Sequence, residues 1–205
     1  DRYYVRRQLG QASPLLPLDL LRIPIFRLSI LTSICSFTAQ MLAMISLPFF
    51  LQNTLGHSEV MTGLLLTPWP LATLFAAPAA GYLVERIHPG ILGSIGMGIF
   101  CIGLYSLSTL DAESSILSIC LRLAVCGIGF GLFQTPNNST IIASAPTKRS
   151  GGASGMLGMA RLMGQTLGTT LVALLFSWVV GSKSTEVCLI TAVSYTHLRA
   201  HETTL

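Results

Sequence analysis

The chain has 205 residues, of which 51% are hydrophobic and only 10% charged, with a mean hydropathy of +0.68. A water-soluble domain carries about 25% charged residues, so there are too few charges here to cover a surface facing water, and lipid must be the solvent for most of the chain. The net charge of +4 comes from basic residues in short clusters between apolar runs, with no aromatics interleaved along a basic stripe, which argues against nucleic-acid binding.

The chain opens at Asp1 on a basic, polar stretch, residues 1–27, read as a cytoplasmic linker in a piece of a longer protein. Crossing about 30 Å of hydrocarbon at about 1.5 Å per residue takes roughly 20 apolar residues. Residues 28–51 qualify and contain no charge. After the polar break from Gln52 to Glu59, residues 60–84 qualify despite Pro68, Pro70 and Pro78, since membrane helices tolerate proline where neighbours re-satisfy the freed carbonyls. Further spans are expected at 90–110, at 115–145 (interrupted by Arg122) and at 152–180 (interrupted by Arg161). A sixth begins at 187 and is cut off. The fold class is therefore all-α, a polytopic transmembrane bundle over 28–193 with about five complete helices.

Loop charge orients the bundle. With the N-terminal segment cytoplasmic, that side holds Arg2, Arg6, Arg7, Arg22, Arg27, Arg86, Lys148 and Arg149, while the opposite loops hold Lys183 as their only Lys or Arg. Such asymmetry follows the positive-inside rule and implies a multi-pass protein of the cell (inner) membrane. Residues 194–205 break off an apolar run and resemble the non-native tail left where a read runs into vector sequence. His197 and His201 in that tail are not read as a metal pair. The five cysteines, Cys35, Cys101, Cys120, Cys126 and Cys188, lie in or beside apolar runs with no CxxC pair, so neither a disulfide framework nor a metal site is expected. No cofactor is expected either.

Several residues carry candidate chemistry. Gly81, Glu85, Arg86 and Gly90 end the second span: Gly81 lets two helices approach, and Glu85 and Arg86 pair with each other or with neighbouring helix ends. Gly127, Gly129 and Gly131, then Gly151/Gly155 and Gly164/Gly168, give small-residue faces for close helix packing, serving either static contact or sliding. Gln134 and Asn137, beside Pro136, either open a polar kink toward a cavity or bond between helices. Arg122 lies within snorkelling reach of an interface. Arg161 sits nominally near mid-depth, where an unpaired charge costs several kcal/mol, and is either an anchor or part of substrate or coupling control. Met41, Phe49, Phe50 and Trp69, with Met44, Phe75 and Phe133, are candidates to face a cavity for bulky lipophilic cations. No Asp or Glu lies inside a complete apolar run.

In order along the chain, Pro48–Gln52, Gly63–Pro70, Ala77–Gly81, the segment from Gly81 to Gly90, Gly127–Asn137, Gly151–Gly155, Arg161, Gly164 and Gly168 resemble the C-terminal half of the major facilitator drug:proton antiporters with fourteen helices, the EmrB/QacA type. The resemblance covers roughly residues 17–180. It departs from the family's loop motif in having only His88 at the further basic position. It implies two six-helix halves joined by two extra helices, with this chain supplying the first five helices of the second half. It also implies efflux of amphipathic or cationic drugs in exchange for protons, with the acids that load protons in the missing N-terminal half. The implied partners are the lipid bilayer, that missing half, a small lipophilic substrate and protons. The alternative is a superfamily carrier for a narrow polar metabolite. A membrane enzyme would need a nucleophile–base set or metal ligands at depth, whereas His57 and His88 fall in loops.

Overall fold

A computed structural model describes residues 18–111 and 113–178, together with the helical residues 190, 191 and 193. Six helices follow a short 3-10 turn at Leu18–Arg22: α1 (Pro24–Asn53), α2 (Glu59–Leu66), α3 (Pro68–Val84), α4 (Pro89–Ser108), α5 (Ile116–Ala143) and α6 (Ser150–Trp178). No strand occurs among the described residues. Taking α2 and α3 as one span, five helical stretches are long and apolar enough to cross a membrane. Arg2, Arg6, Arg7, Lys183, the start of the sixth stretch at 187 and the tail 194–205 lie outside the described residues.

The helix ends follow local chemistry. Pro24, Pro68 and Pro89 open their helices, at positions where a missing N–H costs nothing and a fixed φ helps. The side chains of Ser58 and Ser115 accept the amides of Met61 and Ser118, both at 3.3 Å, closing two N-termini. Gly56 adopts a φ of +68° after α1, which lets the His57 amide return to the Leu51 carbonyl at 3.0 Å.

One expected span differs from its sequence reading. The stretch 60–84 is broken at Thr67 into α2 and α3. Pro68 cannot donate to the carbonyl of Leu64, and the Thr67 amide takes that carbonyl at 3.2 Å in a tightened turn. The Thr67 hydroxyl then serves the carbonyl of Gly63 at 3.0 Å.

Packing is centred on α5. Glycines set how closely its neighbours approach, because a methyl group at each would strike backbone. A Cβ on Gly129 would lie 2.4 Å from the Phe100 nitrogen, and one on Gly127 2.3 Å from the Trp69 oxygen. Facing them, a Cβ on Gly96 would lie 2.5 Å from the Phe133 nitrogen. These contacts place α4 antiparallel to α5 and α3 parallel to it. On the far side, Cβ atoms on Gly164 and Gly168 would come within 2.6 Å of Ile34 O and of Met41 Cβ, seating α6 parallel to α1. Gly131 packs on Ala76 in the same way. Gly151 and Gly155 are different: neither has any heavy atom within 4 Å of the place a Cβ would take, so this pair mediates no contact among the described residues.

Most hydroxyls on the buried face of α1 are bonded locally. On α1 the hydroxyls of Thr32, Ser33, Thr38 and Ser46 donate to carbonyls four residues back, at 2.6–3.0 Å, which makes them tolerable at membrane depth. The outward faces are apolar, as Phe75 at 74% exposure and Leu117 at 68% illustrate, and lipid is the medium that suits them.

Candidate functional site

Four stretches that meet along one side of the bundle enclose an open cleft of about 920 Å³, lined from α1, α2–α3, α5 and α6. This is the upper part of the size range of ligand sites. Its walls are largely apolar: Phe37, Met41, Met44, Leu66, Trp69, Pro70, Leu74 and Phe130. The broken turn contributes too, with Gly63 and Thr67 in the lining. Irregular backbone at membrane depth is stable where it lines such a space.

One residue from each span joins an aromatic chain beneath the cleft. The Arg161 guanidinium of α6 sits over the Phe37 ring of α1, with Cζ 5.5 Å from the centroid. Phe37 meets Phe130 of α5 edge-on at 5.6 Å, and Phe130 meets Phe100 of α4 at 5.5 Å. Phe100 in turn meets Trp69 of α3 at 5.8 Å and 83°. Edge-to-face pairs at these separations add to the burial of the rings. Trp69 is 2% exposed, and its indole N–H finds no acceptor among the described residues.

The polar groups of the lining are few. Gln40, Gln134 and Arg161 reach it beside the hydroxyls of Thr67 and Thr73, and Arg161 is the one charged side chain among the described lining residues. The acids Glu59, Glu85, Asp111 and Glu113 are exposed and lie at or beyond helix ends.

Of the residues singled out from sequence, Met41, Trp69, Gln134 and Arg161 come together here with Met44. Others sit elsewhere. Arg122 points to the end of α4, where it donates to the Ser106 carbonyl and to the Thr109 hydroxyl, the latter at 3.0 Å. It thereby caps carbonyl groups that the helix leaves open. Asn137 donates to Ser33 Oγ at 2.7 Å, tying α5 to α1, and lines a separate cavity of about 640 Å³ with Ser29, His88 and Thr140. Phe133 lines that same cavity. Phe49 packs on Phe176 of α6 at 5.1 Å, Phe50 on the core, and Phe75 faces outward.

The loop motif is rearranged from its sequence reading. Arg86 donates to the Tyr82 hydroxyl at 2.5 Å and lies 4.8 Å from its ring centroid, so Tyr82, one turn back, takes the place expected for Glu85. Among the described residues Gly81 approaches no other helix: a Cβ there would meet nothing within 4 Å. His88 caps α4, its Nδ1 accepting from the Gly90 amide at 3.2 Å, and a Cβ on Gly90 would sit 3.3 Å from that same nitrogen. Phe37, Phe100 and Gly96 escaped the sequence reading. Gly96 with Gly103, one heptad apart in α4, was the available signal.

The model of the Major Facilitator Superfamily matches residues 6–184. This chain belongs to the Major Facilitator Superfamily. Its fold is all-helical, with five stretches long and apolar enough to cross a membrane. Among curated proteins it is 60% identical over 190 residues to the uncharacterized transporter YebQ of Escherichia coli (strain K12), covering 93% of this chain and 41% of that one. It is 31% identical over 176 residues to the multidrug resistance protein Stp of Mycobacterium tuberculosis (strain CDC 1551 / Oshkosh), covering 85% and 33%. It is 28% identical over 152 residues to the riboflavin transporter RibZ of Clostridioides difficile (strain 630), covering 74% and 33%. The chain thus spans between a third and two fifths of the length of these relatives.

Proposed function

We propose that this chain supplies helices of the C-terminal half of a fourteen-helix drug:proton antiporter, which exports amphipathic drugs across the cell (inner) membrane. The observation that carries the reading is the cleft: a wide space walled by Phe, Trp and Met and opening on one side of a half-sized bundle. Met and aromatic side chains adapt to varied apolar surfaces, and a face of this kind suits a cavity shared with a second half. The name of Stp points the same way. In this reading α1 starts on the cytoplasmic side, as the basic residues at Arg27, Arg86 and Arg149 favour. Proton loading needs a carboxylate whose affinity for a proton is moved by burial, and the exposed acids here do not offer one. The rest of the transporter would supply it.

A second reading, a carrier for one polar metabolite, draws on Gln40, Gln134 and Arg161 in the lining and on the name of RibZ. Expression of the full-length transporter in a pump-deficient bacterium separates the two. Uncoupler-sensitive efflux of several unrelated amphipathic dyes is expected. A protein present in the membrane that moves none of them under any gradient would sink the drug-efflux reading in favour of the carrier.

A further inference from the structure

Resting on the efflux reading, we propose that Arg161 selects substrates by charge and that this cleft takes planar aromatic compounds bearing an acid group. Arg161 is the twelfth residue of the 29-residue helix α6, three residues short of its middle, which puts it inside about 30 Å of hydrocarbon when the helix spans it centrally. A guanidinium held there is costly unless something pairs with it. Among the described residues it meets the Phe37 ring, and no acceptor for its five N–H donors. Among the described residues no carboxylate lines the cleft around it.

Arg161 is itself exposed, and the ring it rests on is held in place. Phe37 beneath it is held edge-on by Phe130, which leans on Phe100 and through it on Trp69. A planar guanidinium on a fixed ring presents a fork that matches a carboxylate with two parallel N–H···O bonds. The same charge repels a cation bound beside it. One further feature suits a ligand with acceptors: the Gln40 and Gln134 amides line the cleft with no hydrogen-bond partner among the described residues. Most of the remaining lining is apolar, Met44, Pro70 and Leu74 among it, which suits an aromatic ring system.

The test uses the full-length transporter in everted membrane vesicles energised by respiration, so that export becomes uptake. Three probes are compared with and without an uncoupler: coumarin-3-carboxylate, its neutral carboxamide, and the lipophilic cation ethidium. Wild-type protein is expected to take up the carboxylate in preference to the carboxamide. Arg161→Gln is expected to lower carboxylate uptake about tenfold or more, the scale of a hydrogen-bonded charge pair, and to leave the carboxamide within about twofold. Arg161→Lys keeps the charge without the fork and should fall between. Should Arg161→Gln not reach the membrane, the wild-type preference and its weakening in Arg161→Lys decide the matter. Wild-type uptake of ethidium and carboxamide without carboxylate would overturn the assignment and leave efflux standing. Equal loss of all three probes in a well-inserted Arg161→Gln protein would also overturn it, by making Arg161 the partner of an acid elsewhere in the transporter. No uptake of any probe by inserted wild-type protein would remove the efflux reading, and this inference with it.

Discussion

Two glycines in α4 offer a direct test of how the bundle is held together. A Cβ on Gly96 would lie 2.5 Å from the Phe133 nitrogen and 2.7 Å from the Leu132 carbonyl carbon, whereas one on Gly98 would meet nothing within 4 Å. Ordinary contact begins at 3.4 Å, so Gly96→Ala forces α4 and α5 about 0.9 Å apart at that point, and the obstacle is backbone that cannot rotate away. Overpacking of this sort costs about 1–3 kcal/mol, and the rigid obstacle places it near the upper end. Both substitutions gain the same helix propensity, about 1 kcal/mol, so the difference between them isolates the steric term. Gly96→Ala should therefore be about 3 kcal/mol less stable than Gly98→Ala, more than a hundredfold in the unfolding equilibrium. The assay is SDS titration of the full-length transporter in mixed micelles, followed by tryptophan fluorescence. Equal midpoints for the two variants would refute the claim that α4 and α5 touch through these glycines.

Arg122→Met should destabilise the protein by about 1.5–3 kcal/mol by removing charged donors from the end of α4, with Arg122→Lys recovering part of the loss in the same titration. Efflux per folded molecule should not change, and a changed substrate range would place Arg122 nearer the transport path than its bonds to Ser106 and Thr109 imply. A double-mutant cycle on Asn137→Ala and Ser33→Ala should give a coupling of about 0.6–1.7 kcal/mol, the range for hydrogen bonds between membrane helices; additive losses would deny the bond seen at 2.7 Å. Cysteines at positions 58 and 114 should react with a membrane-impermeant maleimide in intact cells, and one at position 86 only after permeabilisation, with the reverse pattern inverting the proposed orientation.

How far each feature could be read in advance depended on the range of the physics behind it. Spans are a local property: a run such as 28–51 announces itself by length and lack of charge, and α1 indeed occupies Pro24–Asn53. The break at Thr67 was half visible. Two prolines in three residues signal trouble, but whether a helix kinks or splits depends on which group takes the carbonyl that Pro68 cannot serve, and here that is the Thr67 amide itself. For the glycines, spacing alone did not separate contact from open space. Gly151/Gly155 and Gly164/Gly168 share one pattern, yet only the second pair meets α1.

By itself the sequence determined that this is a chain of apolar helices in lipid, because hydropathy and the scarcity of charge need no partner to act. It also carried the family, since an ordered set of Gly, Pro and Arg positions survives without knowledge of contacts. Only the tertiary structure decided which side chains share a space. It sent Arg122 to a helix end and Asn137 to Ser33, and it brought Arg161 onto Phe37, a residue 124 positions away (161 minus 37). Cation–ring and edge-to-face contacts act over a few ångströms, and those distances exist only once the helices have chosen their neighbours.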